Sequence, residues 1–296
     1  MTDSTALPIA PQAPARSWMI TNPLEVALVE WGPADGPPLV LVHGGGDFAR
    51  SFDGFAPLLA AAGWRVVAWD QRGHGDSARA ELYGWSAELR DLVGVLQALP
   101  SGPHPLIGHS KGGVLALDVA AARPDLVRAV VAIDGFIRRI YPPRPPEETA
   151  ERWLDLQRGG RSARGGTAAE LADGRQAANP RLNRAWIDHL VQVGATRHDD
   201  GNWSWKIDPA AFPLPPHAVS LDASLRRMAA LRCPLLALKA GVEEAIAGQP
   251  AADILAAHLP PLGRLEVLDG LGHFAHVEDP GRVAELALSF LDHLGE

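Results

Sequence analysis

The sequence predicts an α/β protein, with a mostly parallel central sheet flanked by helices and a mainly helical segment inserted in the middle of the chain. Three observations predict it. Short apolar runs bounded by Gly, Pro or Asp alternate with helix-length segments, the pattern of strands joined by crossovers. Polar and titratable residues gather just after those runs, where the loops of an open parallel sheet converge. Between about residues 136 and 232 the alternation stops, and no internal repeat replaces it.

The elements follow in order. Residues 24–31 read as an antiparallel edge strand ahead of the parallel set. Six runs then read as parallel strands: 39–42 (LVLV), 65–69 (RVVAW), 105–107 (PLI), 129–133 (AVVAI), 235–238 (LLAL) and 265–268 (LEVL). Most are β-branched or leucine-rich on both faces, as a strand covered by helices on each side must be. Helices are expected near 52–62, 87–99, 113–122, 251–258 and 282–294.

The stretch 136–232 has a different composition: PPRPPEE, RGGRSARGG, and tryptophans at Trp153, Trp186, Trp203 and Trp205. It reads as a mainly helical cap over one end of the sheet, with 142–146 as a stiff connection and 159–166 as a flexible one. The expected organisation is therefore a core domain of 1–135 and 233–296, interrupted by a cap of 136–232. The cap tryptophans either line an apolar pocket or form the insertion's own core.

Composition narrows the function. Of the 296 residues, 47% are hydrophobic and 21% charged, which is ordinary globular usage and argues against disorder. A net charge of −8 offers no general attraction to nucleic acid or to an anionic membrane surface, so neither is an expected partner. The opening MTDSTALPIAPQAPARSW lacks a basic stretch followed by an apolar one, so no signal peptide is expected. No apolar run reaches the roughly 18 residues of a membrane span. The single cysteine, Cys233, has no partner for an internal disulfide and no metal-binding pattern around it, and a cytoplasmic location is the expectation.

The chemistry is concentrated in GHSKG, residues 108–112, which fits G-x-S-x-G. Small residues there let the chain turn sharply from strand to helix and push the hydroxyl of Ser110 out beyond the sheet. An apolar strand precedes the motif and VLALDVAAA follows it. A phosphate loop is disfavoured, because the lysine follows the serine instead of preceding it. A serine hydroxyl needs a base, itself oriented by an acid. His273, in GLGHFAHVEDP between the last strand and the last helix, is the best-placed base, with His276 the weaker competitor.

HGGG (43–46), DQRGHGDS (70–77), GHSKGG (108–113) and GHFAHVEDP (272–280), in this order and spacing, resemble the α/β-hydrolase superfamily, over most of the chain from about Leu24. The resemblance implies an α/β-hydrolase fold with a helical cap and a serine esterase or lactonase. Family geometry implies oxyanion donors at the backbone of Gly45, with Gly46 beside it, and of Lys111. Where the family usually carries an aspartate after the penultimate strand, this chain offers KAGVEEAI. Glu244 is the first choice for the triad acid, Asp134 in VAIDGF the alternative, and Glu243 follows. Asp70 and Arg72 are expected to brace loops. The arginines between 138 and 164 either meet an anionic substrate or form a solvated surface, and the latter is favoured.

The resulting expectation is hydrolysis of a small ester-like molecule through Ser110, His273 and an acid, with no metal or organic cofactor, by a monomer or a homodimer. The serine at the elbow argues against the haloalkane dehalogenase and epoxide hydrolase mechanisms, which use a carboxylate nucleophile. The same triad also permits thioester, amide or carbon-carbon bond hydrolysis, or lyase or perhydrolase chemistry. A catalytically silent ligand-binding protein is the alternative of a different class.

Overall fold

A computed structural model describes residues 10–21, 24–81, 83–138, 147–148, 151, 165–211, 220–244 and 247–295. The proposed 142–146 connection, most of the 159–166 connection and Trp153 lie outside these residues.

The described residues form ten strands: β1 (Arg16–Thr21), β2 (Glu25–Trp31), β3 (Pro38–Val42), β4 (Arg65–Trp69), β5 (His104–His109), β6 (Val127–Ile133), β7 (Ala195–Arg197), β8 (Trp203–Trp205), β9 (Leu235–Ala240) and β10 (Gly263–Leu268). Eight of them form one sheet in the order β1-β2-β4-β3-β5-β6-β9-β10. The pairs from β4 through β10 are parallel, while β2 runs antiparallel to β4 and β1 antiparallel to β2. The six parallel strands and the first antiparallel one match the sequence expectation closely. β1 is an additional outer strand. It is held to β2 partly by the buried Glu30, whose carboxylate accepts from Arg16, Trp18 and Arg65.

The core helices are α1 (Ala56–Ala61), α2 (Trp85–Ala98) and α3 (Lys111–Ala122). Residues 167–229 add α4 (Ala168–Ala178), α5 (Arg184–Gly194) and α6 (Leu221–Ala229). The chain ends through α7 (Ala252–Ala256), α8 (Ala275–Glu278) and α9 (Pro280–Asp292). The central strands are buried throughout: all five residues of β3 and all six of β5 and of β9 are buried. One face packs Val40, Val42, Leu106 and Val130 against α2, α3 and α6. The other packs Leu39, Leu41, Ile107 and Val131 against α1 and α9. Each fully buried Leu or Val adds about 1.5–3 kcal/mol, before entropy is charged.

The stretch read as a cap contributes to a third apolar cluster, in which Leu171, Leu182, Trp186, Ile187, Leu190 and Val191 pack on Phe48 and Phe274. Trp203 and Trp205 join it from β7-β8, a small antiparallel hairpin where the composition suggested no strand. Three of the four cap tryptophans are thus packed into the insertion. α6, within the stretch read as cap, buries Leu225 and Met228 in the core cluster instead.

Candidate active site

Three strand ends and the loop after β10 meet at one place. β5 ends at His109, and Ser110 follows with φ 51° and ψ −120° before α3 begins at Lys111. A positive φ is unfavourable for a non-glycine residue and costs of order 1–3 kcal/mol, so the surroundings must enforce it. They do so by close approach. A Cβ on Gly112 would collide with the Val42 carbonyl, one on Gly108 with the Gly112 carbonyl, and one on Gly135 with the Ser110 carbonyl. The glycines of the motif are therefore required by contact as well as by the turn. Ser110 N–H donates to the Ile133 carbonyl at 2.9 Å, which fixes the turn to β6.

His273 lies directly across from the serine. Its Nε2 is 2.9 Å from Ser110 Oγ, and its Nδ1 is 2.7 Å from Asp134 Oδ2. Because a carboxylate only accepts, Nδ1–H donates to Asp134, and Nε2 is left to accept the serine proton. Asp134 follows β6 and also has a positive φ, 44°. Its N–H donates to the Leu238 carbonyl at 2.8 Å, and its Oδ1 accepts from Ala240 N–H at 3.2 Å, so β9 holds it on two sides.

This order reverses the expected ranking of acids. Glu244, the first choice from sequence, does not meet the imidazole. Its Oε2 accepts the backbone N–H of His273 at 2.6 Å, so it steadies the histidine loop rather than the ring. Asp134, the alternative, occupies the imidazole partner's position. The physical reason is reach: β6 and β9 are hydrogen-bonded neighbours, and the turn after β6 aims the short aspartate side chain under the ring. His276, the competing base, is buried with its ring centroid 4.4 Å from that of His109.

The loop around the histidine is braced from several directions. His109 Nε2–H donates to the His273 carbonyl at 2.9 Å. Glu278 accepts Gly272 N–H at 3.0 Å and pairs with Arg181, which also donates to the Gly270 carbonyl at 2.7 Å. Burial keeps His109 well below the ordinary imidazole range. Burial likewise pushes His276 down to about 3. The His109 ring lies 4.8 Å from the His273 ring, and His276 packs against His109.

The HGGG turn is equally constrained. His43 Nε2 accepts Gln71 N–H at 2.9 Å, and the Gln71 side chain donates back to the His43 carbonyl at 2.5 Å. Asp47 N–H closes the turn on the Gly44 carbonyl at 3.4 Å, and Gly46 has φ +75°. Gly45 sits beside Lys111, such that a Cβ there would be 3.6 Å from Lys111 Cδ. Lys111 begins α3, where a backbone N–H has no partner within the helix. Its ammonium pairs with the buried Glu88 of α2 at 2.8 Å, so the charge beside Ser110 is matched by a helix carboxylate. Glu243 has no contact with His273 among the hydrogen bonds of the described residues.

Asp70 accepts Ala49 N–H at 2.6 Å and Asp76 N–H at 2.8 Å, and Arg72 pairs with Asp91 at 2.6 Å. Burial raises Asp70 to about 6. Of the arginines between 138 and 164, only Arg138 is described, and its guanidinium lies 5.0 Å from the centroid of Trp85. Sequence reasoning missed His109, Asp47, Arg175 and Arg181. His109 had a signal, being the residue before the motif serine, but the others meet only after folding. Among the described residues, no His, Cys, Asp and Glu group could hold a metal ion, and no helix is long and apolar enough to cross a membrane.

An eight-stranded, mostly parallel sheet with a serine at a tight strand-to-helix turn and a histidine after the last strand defines a recognised class. The chain belongs to the alpha/beta hydrolase family, whose profile matches residues 39–286. It is similar to esterase Rv0045c of Mycobacterium tuberculosis, with 28% identity over 90% of this chain and 86% of that one. It is also similar to the sn-1-specific diacylglycerol lipase ABHD11 of Mus musculus, at 25% identity over 91% of this chain and 85% of the relative. Among solved structures, the hypothetical protein PA1622 of Pseudomonas aeruginosa PAO1 superposes with a TM-score of 0.80 at 27% identity, covering 94% of this chain and 100% of the other.

Proposed function

We propose that this protein is a serine hydrolase that cleaves a carboxylic ester or lactone through Ser110, His273 and Asp134. The observation that carries the reading is the continuous hydrogen-bonded chain from Ser110 Oγ through the His273 imidazole to Asp134, at 2.9 and 2.7 Å. Two relatives whose names describe ester chemistry, the esterase and the lipase, support it.

Ser110 Oγ attacks the carbonyl carbon while its proton passes to His273 Nε2. Asp134 stabilises the imidazolium through Nδ1–H. The carbonyl oxygen becomes an oxyanion facing the N–H groups of Lys111 and Gly45, each such donor contributing about 3 kcal/mol to the barrier reduction. Collapse of the tetrahedral species breaks the carbon-oxygen bond, and the leaving alkoxide takes the proton from His273. Water then attacks the acyl-enzyme by the same route and releases the acid. The substrate in this reading is a small ester-like molecule, the cycle calls on no metal or organic cofactor, and a cytoplasmic site fits a chain whose one cysteine is free and buried.

The test is a graded series of p-nitrophenyl esters and lactones, run with wild-type protein and Ser110→Ala. Wild type should turn over at least one acyl size and take a fluorophosphonate probe, and Ser110→Ala should do neither. Probe labelling that persists in the alanine variant rules out Ser110 as the nucleophile.

A further inference from the structure

The turn that carries Gly45 is held from above by the cap. α4 is fixed at its start by a capping box, in which Thr167 Oγ1 accepts Glu170 N–H at 3.2 Å and Glu170 Oε2 accepts Thr167 N–H at 2.8 Å. Two turns on, Arg175 reaches out of the cap. One guanidinium nitrogen pairs with Asp47 Oδ1 at 2.5 Å and another donates to the Gly46 carbonyl at 3.2 Å. The same guanidinium lies 5.8 Å from the ring centroid of Phe274, the residue after His273. A single cap side chain therefore touches both the HGGG turn and the histidine loop.

The turn needs such a support. It contains three successive glycines, the residue type with the greatest backbone freedom, and its closing bond is long at 3.4 Å. Asp47 is only 2% exposed, and a carboxylate buried to that degree is tolerable because Arg175 is beside it. Burial pushes Asp47 upward in pKa, and Arg175 opposes the shift.

We infer that Arg175 is a positioning residue for the oxyanion turn: by clamping Gly46 and Asp47 it holds the Gly45 N–H where the tetrahedral oxygen forms. The inference rests on the esterase reading above. Arg175 contacts the turn rather than the substrate, so its removal acts on the acylation step and leaves ground-state binding alone. The planar fork matters, because one nitrogen serves the carboxylate while another serves the carbonyl, and a lysine offers one point charge for both.

The experiment compares Arg175→Met, Arg175→Lys and, as a control, Arg184→Met, which removes an exposed cap arginine paired with Asp173 and Asp188. Arg175→Met should lower kcat on a short-chain p-nitrophenyl ester about 10- to 100-fold, less than outright loss of an oxyanion donor. KM should stay within threefold, and a trifluoromethyl ketone inhibitor should weaken in proportion to kcat/KM. Arg175→Lys should recover part of the loss, and Arg184→Met should match wild type. Amide exchange in a peptide covering residues 43–48 should rise in Arg175→Met. A kcat within threefold of wild type, a loss confined to KM, or an equal loss in Arg184→Met overturns the inference while leaving the esterase reading standing. Absence of turnover and of probe labelling in the wild type sinks the esterase reading instead. In that event unchanged amide exchange in Arg175→Met removes the clamp as well, and raised exchange retains the clamp without its catalytic role.

Discussion

The His273 Nδ1 atom lies 2.7 Å from Asp134 Oδ2, a contact across 139 positions of sequence that joins the loop after β10 to the end of β6. Glu244 takes the backbone N–H of the same histidine at 2.6 Å. The two acids therefore do separable work, one on the ring and one on the loop. Asp134→Asn should lower kcat/KM by about 10³- to 10⁴-fold, because an amide cannot both fix the Nδ1–H tautomer and balance the imidazolium. Glu244→Gln keeps an acceptor for the N–H and should cost less than tenfold. Steady-state kinetics of the two variants on one ester decides it: comparable losses would mean that both carboxylates act on the imidazole.

The strands were legible because burial on both faces writes a plain apolar run, as in LVLV and LLAL. β1 was not, since RSWMIT sits at the sheet edge and is secured by Glu30 contacts that no local pattern reveals. The serine and the histidine were legible because motif and position coincide. The acid was not. Asp134 and Glu244 both follow strands, and it is the turn after β6, with Asp134 at a positive φ and held by β9, that brings its carboxylate to the ring. The Asp47–Arg175 pair spans 128 positions and depends on how the cap sits on the core, which spacing along the chain does not encode.

The glycines of the nucleophile turn should differ sharply from those of the HGGG turn. Gly112→Ala drives a methyl into the Val42 and His43 carbonyls, where backbone must move to make room. A loss of about 3 kcal/mol is expected, since overpacking against rigid neighbours commonly costs that much. Gly45→Ala meets only the Lys111 side chain at ordinary contact distance and should stay within about 1 kcal/mol of wild type. Urea unfolding at neutral pH measures both. Equal stability of the two variants would show that the turn at Gly112 relaxes more easily than its contacts suggest.

Lys111 should matter to stability more than to chemistry. Its ammonium answers the carboxylate of Glu88, which is 4% exposed, so Lys111→Met leaves a buried charge without its partner. About 2 kcal/mol is expected, less than a fully buried pair would cost because the lysine is partly solvated. Adding Glu88→Gln should return most of it, a coupling that a double-mutant cycle reads directly. Activity of the folded Lys111→Met protein on a neutral ester should stay within tenfold of wild type, because the proposed oxyanion contact uses the backbone N–H. A thousandfold loss would place the ammonium on the substrate.

His276 should make the fold sensitive to acid. Its ring is enclosed by Phe52, Phe55, Phe274 and His109, and burial, reinforced by His273, pushes its pKa to about 3. The unfolded chain takes up a proton near pH 6.5 and the folded chain does not, so the contribution is present above that pH. It is lost progressively as the pH falls toward 3, amounting to about 2 kcal/mol by pH 5. Asp70, raised to about 6, works in the opposite sense, since stability falls as the pH rises from about 4 through 6. The wild-type profile mixes these with other buried groups, among them His74, also pushed down by burial to about 3, and His109. His276→Phe isolates one of them, because a phenyl ring occupies similar space and has no proton to bind. Between pH 7 and pH 5 this variant should lose about 2 kcal/mol less than wild type in urea unfolding, and superimposable pH profiles would show that His276 takes up its proton as readily in the folded protein as in the unfolded chain.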